Sequence, residues 1–335
     1  MTTSVSRRRA TAAALVATGL VASACSSQSP SALDPHGPAA KEIADIWWLM
    51  FGLATAVYLV VGGLIIVAAL RGRGTEGEGR PSRITDHGFI WVGGLIVPTI
   101  ILGILAVVTV QSVNTLRKPE PGALKIEVTG YRWWWDVRYP NEGIVTANEI
   151  RIPAGRPVEI GLRTADVLHS FWVPELAGKV DQVPDHRNVL RLRADKPGVY
   201  RGQCAEFCGI QHAKMAFLVR AEPPADFARW VARQQRPAAA PASESAAKGQ
   251  VVFARSTCGA CHTVRGTEAR GTFGPDLTDF GDRRTIGAVS VPNTRANLAQ
   301  WIVDAQSIKP GNLMPPIHMN RDDVIALLDY LESQR

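Results

Sequence analysis

Residues 202–215 read GQCAEFCGIQHAKM, which brings two thiols (Cys204, Cys208), an imidazole (His212) and a thioether (Met215) close together. A second loaded stretch, Cys258-Gly259-Ala260-Cys261-His262, sets two more thiols beside a histidine. These pairs hold four of the five cysteines, and Cys25 stands alone near the N-terminus. A disulfide across Cys204 and Cys208 would close a strained loop and gain little chain entropy. Zinc accepts cysteine and histidine but has no use for Met215. Soft thiolates with imidazole and a weak thioether are the set copper prefers for electron transfer. Two thiolates rather than one point to two copper ions bridged by both sulfurs, and such a site needs a second histidine. His169, in DVLHSFWVP at the end of a strand-like run, is the candidate.

The second stretch has the C-x-x-C-H spacing of covalent c-type haem attachment. One helical turn presents Cys258 and Cys261 to the two vinyl groups, and His262 then reaches the iron from one face. A zinc site would need another cysteine pair in this unit, which the sequence lacks. The sixth iron ligand sets the potential and must come from the far side. Met314, framed by Pro and Gly in KPGNLMPP, is the candidate, with Met319 and His318 as rivals. FGPDL, at 273–277, supplies turn residues to wrap the haem edge.

The elements that must position these groups can be read along the chain. Residues 1–25 form an export signal: Arg7, Arg8 and Arg9 precede the apolar run ATAAALVATGLVASAC. VASAC resembles a bacterial lipoprotein signal with Cys25 as the lipidated residue, although Ala22 stands where such boxes usually carry Leu. A two-helix transmembrane hairpin is predicted over 43–115, with spans at about 46–70 and 88–113. Pro98 is tolerable there, because neighbouring helices can satisfy the freed carbonyl. Arg71, Arg73, Arg80 and Arg83 between the spans mark the cytoplasmic side, so everything after Thr115 is extracytoplasmic. From 118 to 222 short strand-like runs alternate with turn residues such as Pro-Ala-Gly at 153–155 and Lys-Pro-Gly at 196–198, predicting an antiparallel β-sandwich or barrel. Residues 223–246 read as a helix followed by a semi-flexible Pro/Ala-rich linker. Residues 247–335 form a mostly helical unit with amphipathic helices at RANLAQWIVDAQ and RDDVIALLDYLESQ. The net charge of +7 is interspersed, with no basic run for nucleic acid.

DVLHSFWVPELAGKVDQVPDHRN and GQCAEFCGIQHAKM, with the two preceding helices and the cluster GYRWWWDVRY, resemble cytochrome c oxidase subunit II over roughly 45–222. The unit from 247 onward resembles a small monohaem cytochrome c, with Met314 at that family's Met-Pro ligand position. Together they look like subunit II of the caa-type haem-copper oxidases. The resemblance implies a cupredoxin-like all-β domain, an all-α class I-like cytochrome c domain, and a dinuclear copper (CuA) centre. Cys204 and Cys208 would bridge the coppers, with His169 and His212 binding one each. Met215 and the backbone carbonyl of Glu206 would be weak ligands. The Glu206 side chain would help hold a magnesium ion against subunit I, and Trp133 would be the point of electron entry. Implied partners are subunits I and III in a bacterial plasma membrane, with an upstream cytochrome or quinol–cytochrome c reductase complex as donor. Two departures stand out. Gly88 occupies the place of a family Glu near a proton-uptake path, with Asp86 and His87 adjacent, and PDHRN replaces the usual PGRxN turn. His36, His87, His186 and Cys25 receive no metal role. The alternatives are the CuA subunit of a nitric oxide reductase and a free-standing membrane-tethered carrier; nitrous oxide reductase and quinol oxidase subunits fit less well.

Overall fold

The computed structural model describes residues 30–71 and 86–335; the predicted export signal, Cys25, Arg73, Arg80 and Arg83 lie outside them. The first charge-free stretch lies within helix α1 (Pro38–Arg71), which opens on a proline whose missing N–H costs nothing in a first turn. The second long helix, α2 (His87–Leu116), is also long and apolar enough to cross a membrane. Inside it, residues Ile90–Ile96 widen into a π-helix just ahead of Pro98. A proline ring clashes with the carbonyl four residues back and offers no N–H, which disturbs the ordinary helical register. Most apolar side chains of both helices point outward, as on a lipid-facing surface. At the sandwich end Ser112 Oγ donates to Glu42 Oε1 at 2.5 Å, tying the two helices together. Ala39, Ala40 and Ala44 are buried there, and the Ala40 N–H donates to the Leu176 carbonyl at 3.2 Å.

After Leu116 the pattern changes to strands: β1 (Leu124–Tyr131), β2 (Trp134–Tyr139), β3 (Ile144–Ala147), β4 (Glu149–Pro153), β5 (Val158–Thr164), β6 (His169–Trp172), β7 (Val180–Gln182), β8 (Asn188–Leu192), β9 (Gly198–Cys204) and β10 (Ala216–Glu222). Alternate residues of β1, Leu124, Ile126 and Val128, face inward, as period-two geometry requires. Among the described residues these strands form two five-stranded sheets, β3-β2-β1-β5-β8 and β4-β10-β9-β6-β7. The sandwich is mixed rather than purely antiparallel: β1 pairs parallel with β5, and β4 with β10. The cause is the bend at 153–155, which carries the chain from β4 in one sheet to β5 in the other, so these two consecutive strands take partners from distant parts of the chain.

Trp135 from one sheet meets Phe171 and Phe217 from the other at ring separations of 5.7 and 5.2 Å. Each such burial stabilises by about 1.5–3 kcal/mol. Helix α3 (Pro224–Gln234) packs Phe227 and Trp230 into this same core, with Trp230 edge-on to Tyr139 at 5.2 Å, so the helix belongs to the sandwich. The linker after it is tied to both units rather than standing free. Gln235 Nε2 donates to the Glu142 carbonyl at 3.0 Å, and the Ala238 N–H to the Arg265 carbonyl at 2.9 Å.

The C-terminal unit contains α4 (Glu244–Arg255), α5 (Cys258–Cys261), a short β11–β12 pair (Thr285–Ile286 and Val291–Pro292), α6 (Arg295–Ile308) and α7 (Arg321–Ser333). Ser243, Thr294 and Asn320 cap α4, α6 and α7 by accepting a backbone N–H from the first turn. Phe253, Leu298, Ile302, Leu327 and Leu331 form the core of this second unit.

Candidate metal and haem centres

The loop that joins β9 to β10 begins at Cys204 and ends at Met215, and its neck is closed by the Cys204 N–H donating to the Met215 carbonyl at 2.8 Å. β6 lies beside β9 with Phe171 opposite Cys204, which delivers His169 to the same spot from far upstream. The donors fall into two arms. Cys204 Sγ lies 3.9 Å from His169 Nδ1 and 3.2 Å from the Glu206 carbonyl oxygen. Cys208 Sγ lies 3.7 Å from His212 Nδ1 and 3.7 Å from Met215 Sδ. The two sulfurs are 3.7 Å apart, far beyond the ~2.05 Å of a disulfide. All four cysteines among the described residues are free thiols. His169, Cys204, Cys208 and Met215 are buried, and His212 is half-buried. Soft donors converging on one another in a buried pocket fit a dinuclear copper group better than any hard cation.

The hydrogen bond the thiols share makes them titrate unevenly. It holds Cys204 down to about 3, against the opposing effect of burial, and pushes Cys208 up, with burial adding to the rise. A residue that motif reading passed over fixes the first histidine: the Nε2 side of His169 faces Asp166 Oδ1 at 2.9 Å, which leaves Nδ1 for Cys204 and a metal. Burial would raise the Asp166 carboxyl, but hydrogen bonds from His169 and from the Arg132 and Val167 amides outweigh it and hold the pKa low. Its signal in the sequence is an acidic residue one turn ahead of the histidine, in ADVLH. Gly130 backs the imidazole: a Cβ there would sit 2.8 Å from His169 Cδ2.

In the second unit α5 buries Cys258 and leaves Cys261 half-exposed. His262 Nδ1 lies 2.8 Å from the Pro275 carbonyl, so it carries the proton and Nε2 is the nitrogen left for iron. Burial lowers the His262 pKa, which favours the neutral, ligating form. A Cβ at Gly274 would fall 2.6 Å from the His262 ring. The FGPDL stretch thus supports the imidazole through Gly274 and Pro275, and Phe273 stands largely exposed beside it, as does Leu313 near Met314. An apolar macrocycle attached at Cys258 and Cys261 would find apolar neighbours there, so these residues fit haem c.

The Met314 loop is held by Gln306, whose Nε2 donates to the Met314 and Asn312 carbonyls at 3.0 and 2.8 Å. Met319 packs against the core of its unit, and His318 is exposed.

The three adjacent tryptophans separate. Trp135 fills the sandwich core, and Trp134 stacks on Tyr131 at 4.7 Å. The Trp133 indole N–H donates to the Cys208 carbonyl at 2.9 Å. Glu206 turns its carbonyl toward Cys204 and its carboxylate outward, 3.8 Å from Lys179 Nζ. In PDHRN, Asp185 takes φ 59°, the left-handed conformation glycine would adopt freely, and Arg187 pairs with Glu127 at 2.6 Å. His36 sits beside Asp34 and Glu175, and His87 is exposed.

Residues 143–222 match the family described as Cytochrome C oxidase subunit II, periplasmic domain, and residues 246–335 match Cytochrome c. The chain is 37% identical to cytochrome c oxidase subunit 2 of Alkalihalophilus pseudofirmus, over 90% of each chain. It is 32% identical to cytochrome c oxidase subunit 2 of Bacillus sp. strain PS3, over 94% of each. A quinol oxidase subunit 2 of Bacillus spizizenii is 32% identical over 67% of this chain and 72% of its own. The sandwich with its copper donors, the haem-attachment unit behind it and near full-length likeness to relatives of the same extent lead to one assignment: the chain belongs to the cytochrome c oxidase subunit II family, in the form that carries its own C-terminal cytochrome c, as a membrane-anchored partner of subunit I with extracytoplasmic domains that hold CuA copper and haem c.

Proposed function

We propose that this chain is the electron-entry subunit of its oxidase, with the C-terminal unit receiving electrons from an upstream cytochrome or quinol–cytochrome c reductase complex. The sandwich then delivers them to subunit I, where oxygen is reduced to water and protons are translocated. When bound, haem c and the copper pair supply one-electron redox chemistry at fixed positions. Cys258 and Cys261 would hold the haem covalently, with His262 and Met314 as axial ligands. Cys204 and Cys208 would bridge the coppers, with His169 and His212 as terminal ligands and Met215 and the Glu206 carbonyl as weak ones. The Glu206 carboxylate, turned outward, would share a magnesium ion with subunit I.

The observation that carries this reading is the position of Trp133. Its indole N–H bonds the Cys208 carbonyl, while from the haem-bearing unit Lys309 Nζ bonds the Trp133 backbone carbonyl and a Cβ at Gly311 would lie 3.9 Å from the indole ring. A conjugated ring in hydrogen-bond contact with a ligand's backbone is a short conduit between the units. Both long helices would cross the bacterial plasma membrane, with subunit III completing the complex. Cys25, if lipidated after export, would add a further anchor.

Purification of the intact complex tests the reading. Expected are copper, covalent haem c and subunit I in one preparation that consumes oxygen when reduced through haem c. Turnover of nitric oxide but not oxygen, or recovery of this chain without a haem-copper subunit, would overturn it.

A further inference from the structure

Lysine is the residue least expected in a dry interior, yet Lys309 is 2% exposed. It follows α6, on the face where the C-terminal unit meets the sandwich. Its Nζ donates to the carbonyls of Trp133 at 2.7 Å, Lys214 at 2.7 Å and Gly287 at 2.9 Å. These acceptors come from three separate segments: the electron-entry tryptophan, the end of the copper loop, and the C-terminal unit itself. An ammonium has three donors, and all three are satisfied only when these segments hold this one arrangement.

The flanking residues repeat the pattern. Gln211 Nε2 donates to the Pro310 carbonyl and Lys214 Nζ to the Ile308 carbonyl, each at 2.7 Å. The Ala216 N–H donates to the Ala288 carbonyl at 3.2 Å. A Cβ at Gly311 would lie 2.4 Å from Ile210 Cδ1, which shows how closely the loops meet. At a second patch Glu149 Oε1 accepts the amides of Arg284 and Thr285 at 2.7 and 3.1 Å, and Arg151 pairs with Asp282.

We propose that Lys309 is a positioning residue: it sets the register in which the haem-bearing unit docks on the copper loop and keeps that unit resident over Trp133. The inference rests on the electron-entry reading above and adds to it the residue that fixes the encounter. A slipped docking that kept Lys309 out of water would leave its donors unfilled, so such registers are penalised more strongly than the right one is rewarded. With Lys309 in place, one electron leaves the C-terminal unit and arrives in the sandwich from a standing contact, with no bond made or broken. The Pro/Ala linker then serves to span the units rather than to let one swing.

The test uses the purified full complex and the substitution Lys309→Met, which keeps the stem and removes the ammonium. Expected are unchanged haem c and copper absorption, and transfer from haem c to the copper centre slowed at least tenfold. The residual rate should depend on solvent viscosity, whereas the unaltered complex should show no such dependence. Transfer at the unaltered rate, with both absorption signatures intact, would overturn the proposal alone. Absence of transfer in the unaltered complex would overturn the electron-entry reading and the clamp with it. Hydrogen–deuterium exchange on the unaltered complex gives an answer even if the variant does not assemble. Amides 216, 284 and 285 should be protected, and exchange at the rate of free coil would refute a resident docking.

Discussion

Both redox sites must fix one nitrogen of a histidine, and they do so in opposite senses. Asp166 holds His169 by Nε2 and turns Nδ1 toward the thiols, whereas the Pro275 carbonyl holds His262 by Nδ1 and leaves Nε2 free. Each ring rests on a glycine, Gly130 or Gly274, where a Cβ would collide with it. Beyond that the sites diverge. The proposed copper donors hang on two hydrogen-bonded strands and one closed loop, and most are fully buried. The proposed haem ligands lie just after a single-turn helix and in an open loop, with Phe273 and Leu313 left exposed beside them. The sandwich therefore builds its rack from protein alone. The C-terminal unit leaves part of its core to be supplied by the group it binds, and the two should respond differently to losing a ligand.

The largest effect is expected at the rack. Cys204→Ser removes one of the two sulfurs proposed to bridge the coppers, so the copper absorption should vanish and electron delivery to subunit I should be abolished. Haem c absorption should survive, because Cys258, Cys261 and His262 belong to the other unit. Copper retained at full stoichiometry, by metal analysis, would break the two-arm description.

At the haem the expected loss is graded. Met314→Ala should remove the weak near-infrared sulfur-to-iron band while the haem stays covalently attached. The potential should fall by on the order of 0.1 V, because a thioether ligand favours the reduced iron. Met319→Leu, a volume-conserving change against the core, should keep the band and cost under about 1.5 kcal/mol of stability. Persistence of the band in Met314→Ala would transfer the ligand role to Met319.

How much of this was legible in the sequence follows from what each feature depends on. Cys204, Cys208, His212 and Met215 announce themselves because one loop carries them all, and Cys258-x-x-Cys261-His262 is local for the same reason. His169 needed a distant strand, yet its place could be inferred because the thiols demanded a partner. The parallel pairings of β1 with β5 and β4 with β10 were hidden, since they depend on the chain changing sheets at a turn that looks like a hairpin. Helix α3 was legible as a helix but not as part of the sandwich, because its anchors, Phe227 and Trp230, show their purpose only against Tyr139. Lys309 gave no sign at all: a lysine before Pro-Gly reads as a solvated turn, and its three carbonyl acceptors lie in segments far apart in sequence.

Asp166→Asn probes the support rather than the ligand. The amide keeps the shape but replaces a charged acceptor by a neutral one, and losing the partner that orients a metal-binding histidine typically costs roughly 10–100-fold in metal affinity. Chelator competition should show copper leaving the variant more readily, with haem c untouched. The comparison sharpens here, because no side-chain substitution can remove the equivalent support at His262, which is a backbone carbonyl. An unchanged copper affinity would mean that the strand pairing of β6, not Asp166, orients His169.

The smallest effect separates the two ends of one residue. Glu206 offers Cys204 a backbone carbonyl at 3.2 Å, while its carboxylate points outward to a half-exposed Lys179 at 3.8 Å. Glu206→Gln keeps the carbonyl and removes only the outer charge. An ion pair this exposed is screened by water and contributes about 0–1 kcal/mol. Copper absorption and chelator resistance should therefore stay as they are, and the unfolding midpoint should barely move. Any magnesium-site signal of the assembled complex should fall, since the carboxylate is the group that faces subunit I in the proposed arrangement. Loss of copper instead would make the Glu206 side chain a direct part of the rack, and the copper site would then be less self-contained than its buried donors imply.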